Sequence, residues 1–229
     1  MTDSRGEILG RLRRALKASA ENPGRQEAVR ARIGAQARGP VPARSDRPRR
    51  EMIALFVEQA EAVATTVVRV GGNGQVPQAV ANYLKSQNLP AEIRLAPDPA
   101  LEGLPWSEQP LLKVETGRAR VEDATSVTAA VAGVAETGTL MLASGPTAPT
   151  TLNFLPENHI VVLKASQVVG PYEDAWDRLR AANGEGRLPR TVNFITGPSR
   201  TGDIEQTIQM GAHGPRRLHV ILVEDEGRA

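Results

Sequence analysis

The sequence predicts an α/β protein built on a mostly parallel sheet, and three observations carry that expectation. Residues 50–95 alternate helical and β-branched patterns in the order helix, strand, helix, strand, as parallel strands joined by crossover helices do. Aromatic residues make up only 3% of the chain, so Ala, Val, Leu and Ile must fill an interior of the kind found where helices cover a sheet. Short apolar, β-branched runs recur later, as HIVVL at 159–163 and LHVILV at 218–223. With 229 residues, 40% of them apolar, the chain is long enough to bury such a core.

The elements follow in chain order. Residues 5–18 set Ile8, Leu9, Leu12, Ala15 and Leu16 at helical spacing beside an Arg-rich face, which reads as a short amphipathic helix. Residues 22–50 hold only Val29, Ile33 and Val41 as large aliphatics, too few for a core, and read as a mobile or draped linker. The predicted organisation is therefore an arm over 1–48 and an α/β domain over 49–229. Within that domain, Met52, Ile53, Leu55, Phe56 and Val63 mark a helix over 50–63, and Thr65–Val70 a strand. Gly71, Gly72 and Gly74 make a turn into a helix over Val76–Gln87, with Pro77 in its first turn, where a missing N–H costs little. A short strand is expected near Ala91–Leu95.

Residues 126–143, SVTAAVAGVAETGTLMLA, are apolar except at Glu-Thr-Gly-Thr and read as two buried strands around a sharp turn, ended by Pro146 and Pro149. His159–Leu163 is a strand, and Tyr172–Ala182 a helix with Trp176 and Leu179 facing inward. Thr191–Ile195 is a strand, residues 202–210 a helix, and Leu218–Val223 the last strand.

Charge and composition exclude several classes. Residues 1–50 carry thirteen Arg or Lys against five Asp or Glu, and the rest fifteen against twenty-one, so a basic arm of +8 precedes an acidic body of −6. The arm has no aromatic residue on which bases could stack, which argues against nucleic acid as its partner and for a partner-docking helix on a solvated linker. No cysteine is present, which removes disulfides, a cysteine nucleophile, thiolate zinc sites and cysteine-ligated iron–sulfur clusters from this chain. No apolar run reaches membrane-spanning length, and the opening residues lack the apolar stretch of a secretory signal, so a cytoplasmic location is expected. No GxGxxG, P-loop or GxSxG motif occurs, and three scattered histidines lack metal-ligand spacing. No resident cofactor and no metal are expected.

Three segments could carry chemistry. The first, Glu136-Thr137-Gly138-Thr139, places a carboxylate between two core strands. Burying it is costly unless it is paired or faces a polar pocket. Glu136 could be a nucleophile or general base, with Thr137, Gly138 and Thr139 as ligand contacts, or it could simply point to water. The second runs through Gly197, Ser199, Arg200, Thr201 and Asp203, where a strand, a glycine turn and an expected helix start would present free amides beside a cation, an anion-binding arrangement. Capping alone would explain Ser199 and Thr201 but neither Gly197 nor Arg200. The third is His213, flanked by glycines, which could act as acid, base or donor, or could serve a helix C-terminus.

These same residues carry a resemblance. AETGTLMLASGP (135–146), LPENHIVVL (155–163), GPSRTGDIEQT (197–207) and GAHGPRRLHVILV (211–223) occur in one order, and together residues 50–223 resemble the LUD-domain family, in its lactate-utilization protein C (LutC/YkgG) branch. The resemblance implies a three-layer α/β/α fold similar to the NagB/RpiA/CoA-transferase-like group. It also implies a role beside LutA-like and LutB-like iron–sulfur proteins in oxidising L-lactate to pyruvate. The sequence departs from the family pattern in two places: Thr150 and Thr151 stand where an arginine often precedes the Leu-Pro run, and Gly202 where alanine is usual.

A chain without cluster ligands or a flavin or nicotinamide fingerprint would supply binding, positioning or assembly to such a system, while electrons pass through its partners. The expected function is therefore an accessory, non-redox subunit that binds a small carboxylate or phosphate metabolite. The competing readings are a stand-alone CoA-transferase-like or sugar-phosphate-isomerase-like enzyme using Glu136, and a scaffold acting through the basic arm. Homo-oligomerisation stays open.

Overall fold

A computed structural model describes residues 4–16, 23–184, 187–201 and 209–225, in two compact units, Met1–Pro40 and Val41–Ala229. The first unit holds α1 (Ser4–Ala15) and α2 (Pro23–Ala35), neither of which buries a residue. The amphipathic helix is there. The linker reading is corrected for residues 23–35, because Ala, Arg, Gln and Glu are good helix formers and need no core to adopt that conformation.

The second unit runs through α3 (Arg49–Ala62), β1 (Thr66–Val70), α4 (Val76–Ser86), β2 (Glu92–Leu95), α5 (Pro99–Glu102), β3 (Lys113–Thr116) and β4 (Thr125–Ala129). It continues with β5 (Ala132–Val134), β6 (Thr139–Ala143), α6 (Thr151–Phe154), β7 (Asn158–Lys164), β8 (Val168–Val169) and α7 (Tyr172–Asn183). The last elements are β9 (Val192–Ile195), β10 (Arg200–Thr201), β11 (Gln209–Met210) and β12 (Arg217–Val223). Six strands form one wholly parallel sheet in the order β1-β12-β7-β4-β2-β3. Val161 of β7 lies opposite Val220 of β12 and Thr128 of β4.

Side chains of these strands alternate between two cores, as strand geometry requires. Ile160, Val162, Ile221 and Val223 pack with Val76, Val80 and Leu84 of α4 on one face. Val161, Leu163, Val220 and Leu222 pack with Leu55 and Phe56 of α3 on the other. The mostly parallel α/β expectation is met, with an addition. A second, mixed sheet in the order β8-β5-β6-β9 packs through Ala135, Leu140 and Leu142 onto the α3 face of the first. Its own outer face receives Ala175 and Leu179 of α7.

That addition corrects the reading of residues 126–143 as two strands. There are three: β4 belongs to the parallel sheet, and the chain crosses at Ala130–Val131 into the β5–β6 hairpin of the other. The expected helix over 202–210 is also corrected where it can be followed. Gln209–Met210 is a strand paired antiparallel with Arg200–Thr201, while residues 202–208 lie outside the described residues. Among the described residues, no helix is long and apolar enough to cross a membrane.

Candidate functional site

The Glu136 turn is built by close packing. Gly138 has φ +66, and a Cβ there would lie 2.2 Å from the Ala60 nitrogen and 2.5 Å from the Gln59 carbonyl carbon, so only glycine lets the β5–β6 bend meet the backbone of α3. The flanking threonines bond to one another and to neighbouring hydroxyls. Thr137 and Thr139 join Tyr172 and Thr196 in a hydroxyl cluster, with Thr137–Thr139 at 2.6 Å, Thr139–Tyr172 at 2.9 Å and Thr139–Thr196 at 2.7 Å. Glu136 is neither buried alone nor free in solvent. Its side chain is 13% exposed, and its Oε1 lies 3.6 Å from the Arg44 guanidinium.

Thr196 carries the cluster to a cleft of about 460 Å³ at the amino ends of the parallel strands. His159, second residue of β7, and Leu218, second residue of β12, line it, as does Val63 just ahead of β1. Gly197, Ser199, Arg200 and His213 line it too, so the second and third predicted segments meet in one cavity. Backbone bonds stitch them together: Ser199 N–H donates to Pro215 O at 2.8 Å, Gly211 N–H to Ser199 O at 2.9 Å, and His213 N–H to Ser199 Oγ at 3.3 Å. The exposed Arg200 guanidinium donates to Val63 O at the end of α3. Gly197 packs against that same carbonyl, where a Cβ would sit 2.4 Å away.

The residues on either side of the expected helix start pair as the β10–β11 ribbon, and the Ser199 hydroxyl oxygen accepts from the His213 amide. Because β9 pairs antiparallel in the second sheet, the carboxyl-edge rule for parallel strands does not apply to the loop that follows it. Thr201 is not among the lining residues, and Asp203 lies outside the described residues. The Glu136 turn reaches this cleft only through the Thr139–Thr196 bond, and Glu136 is not in its lining.

Sequence reasoning passed over His159. It is 1% exposed, its Nε2 lies 2.7 Å from Thr128 Oγ1, and its Nδ1 has no partner. Burial pushes its pKa down to about 3, so the ring lining the cleft is neutral near pH 7. A histidine inside an apolar strand was the available signal. Among the described residues, no group of His, Asp or Glu side chains could hold a metal ion.

Fold and cleft together define an α/β protein with a polar-lined cleft at the amino ends of its parallel strands. The chain belongs to the LUD-domain family, whose domain model matches residues 53–223. It is similar to lactate utilization protein C of Shouchella clausii, 38% identical over 93 residues, or 41% of each chain. It is similar also to lactate utilization protein C of Bacillus subtilis, 35% identical over 127 residues, covering 54% of this chain and 52% of that one. The matched region thus spans about two fifths to one half of these relatives. In three dimensions the chain is similar to a DUF162-family protein from Deinococcus radiodurans, with TM-score 0.58 and 22% identity, over 77% of this chain and 99% of the other. That likeness shows the fold.

Proposed function

We propose that this chain is a non-redox subunit of a cytoplasmic lactate-utilization system and binds a small carboxylate in the amino-edge cleft. The relatives named for lactate utilization support the process. The observation that carries the ligand reading is the convergence of Arg200, Ser199, His213 and buried His159 in one cleft. Arg200 supplies charge and a planar fork of donors that suits a carboxylate, and donors remain after its bond to Val63. His213 and the Ser199 hydroxyl add donors, and the unpartnered Nδ1 of His159 adds a polar group to the lining. Oxidising lactate removes two electrons, and a chain without cysteine holds no cysteine-ligated cluster, so electron transfer falls to LutA-like and LutB-like iron–sulfur partners.

The test is calorimetric titration of the purified chain with L-lactate and pyruvate, beside Arg200→Ala and His213→Ala, followed by reconstitution with the iron–sulfur partners. Binding that is weakened in both variants, with lactate oxidation only in the reconstituted mixture, is expected. Absence of carboxylate binding by the intact chain, or turnover that does not require this chain, would overturn the reading.

A further inference from the structure

A second cleft, of about 760 Å³, lies at the opposite edge of the parallel sheet. Asn73 follows β1, Asp98 follows β2, Ala129–Val131 close β4, and Lys164 closes β7, and all line it. The Ser144–Ala148 turn and Arg178 of α7 complete the wall. This is the carboxyl edge, where the connections of parallel strands leave a crevice for ligands.

Among the described lining residues, two cations face this cleft and neither is paired with a carboxylate. Neither Lys164 nor Arg178 forms an ion pair with any described carboxylate, whereas Arg94, Lys113 and Arg180 of the same unit each have one within 4.0 Å. Arg178 Nε donates to Val131 O at 2.9 Å and Nη1 to Ser166 O at 3.3 Å, so its guanidinium is fixed between the ends of β4 and β7 without being neutralised. Asp98 is the one carboxylate among the described lining residues, and it is engaged by the Ala100 amide at 2.8 Å. Leu101, Leu104 and Leu179 add apolar side chains to the lining.

We propose that this carboxyl-edge cleft binds a phosphate-bearing small molecule of mononucleotide size, its dianionic phosphate held by Lys164 and Arg178. Two uncompensated cations match a dianion, whereas a monocarboxylate would leave one charge unanswered. The volume lies in the range of pockets that take whole organic ligands and far exceeds what lactate fills. The leucines receive the body of the ligand. This site is separate from the amino-edge cleft, and its test does not depend on lactate binding there.

The experiment is calorimetric titration of the full chain with AMP, ribose 5-phosphate and inorganic phosphate, with L-lactate in parallel. At least one phosphate ester is expected to bind, more weakly as salt rises, and tighter than inorganic phosphate. Lys164→Glu is expected to weaken that binding roughly ten- to a hundred-fold, the span of one charge-assisted hydrogen bond. Lys164→Arg should retain it, and Arg178→Gln, which keeps a donor toward Val131, should reproduce the loss if Lys164→Glu folds poorly by circular dichroism. Lactate binding should be unmoved by Lys164→Glu. No ester bound by the intact chain, binding that survives both Lys164→Glu and Arg178→Gln, or binding lost in Arg200→Ala instead would overturn the proposal. Inorganic phosphate binding as tightly as either ester would overturn the size assignment.

Discussion

The hydroxyls of Thr139 and Thr196 lie 2.7 Å apart and join the first strand residue after the Glu136 bend to the loop that lines the amino-edge cleft. Thr139 is fully buried, and its hydroxyl is the shared partner of Thr137, Tyr172 and Thr196. Thr139→Val keeps the shape and removes that shared partner, so three hydroxyls each lose a bond. A loss of about 1–3 kcal/mol is expected from urea unfolding, with Thr139→Ser costing less. A Thr139→Val protein as stable as the parent would mean that the cluster contributes nothing.

Gly138 tests the packing beneath the bend. An alanine there meets the backbone of α3, which cannot rotate aside as a side chain could, in a left-handed conformation that L residues rarely adopt. Gly138→Ala should cost roughly 2–4 kcal/mol or prevent folding. Gly184, at φ +79 with nothing within 4 Å of a built Cβ, is the control, and its alanine variant should cost about 1 kcal/mol. Equal midpoints for the two variants in thermal unfolding would refute the collision.

The contrast between these glycines also shows what could be read from the chain. His159–Leu163 and Leu218–Val223 were visible because both faces of their strands are buried and the runs are continuously apolar. β3 was invisible because Lys113 and Glu115 lie on an edge strand, where half-exposed charges erase the apolar signal. The crossing at Ala130–Val131 carries no turn residue, so β4 and β5 merged into one run. Gly197, Ser199, Arg200 and His213 could be picked out by residue type, but their cavity could not. It is assembled by long-range backbone bonds such as Ser199 to Pro215, and no local spacing encodes those. The hydroxyl cluster around Gly138 was likewise illegible, because Tyr172 and Thr196 reach Thr139 across 33 and 57 residues of chain.

Asp123 anchors the other end of the parallel sheet. Its two oxygens each accept from the Arg94 guanidinium at 2.9 Å, and both side chains are nearly buried, at 6% and 5% exposure. Burial works to raise the Asp123 pKa, yet the Arg94 hydrogen bond and the Arg120 amide outweigh it and hold the carboxyl below its ordinary value. Asp123→Asn leaves Arg94 with only Glu115, at 2.8 Å. A loss of about 3 kcal/mol is expected, the low end for breaking a buried pair because one partner survives. A loss under about 1 kcal/mol in urea unfolding would place the pair effectively in solvent.

Two buried histidines set the response to acid. Burial lowers His159 to about 3 and His219 to about 4, the latter against a raising hydrogen bond from Thr66. Both therefore stay neutral in the fold at pH 5, while in the unfolded chain they take up protons below about 6.5. The unfolded state binds more protons in this window, so stability is intact above about pH 6.5 and falls as the pH drops toward 4. Between pH 7 and 5 each ring should cost roughly 2 kcal/mol. The carboxylates with lowered pKa, Glu115, Asp123 and Asp225, add their losses only at lower pH, so the upper part of the slope belongs to histidine. His159→Gln, which retains an amide group able to reach Thr128, should halve the difference in unfolding free energy between pH 7 and 5. If the slope is the same in His159→Gln as in the parent, the ring lining the amino-edge cleft is titrating in the fold and is not held neutral.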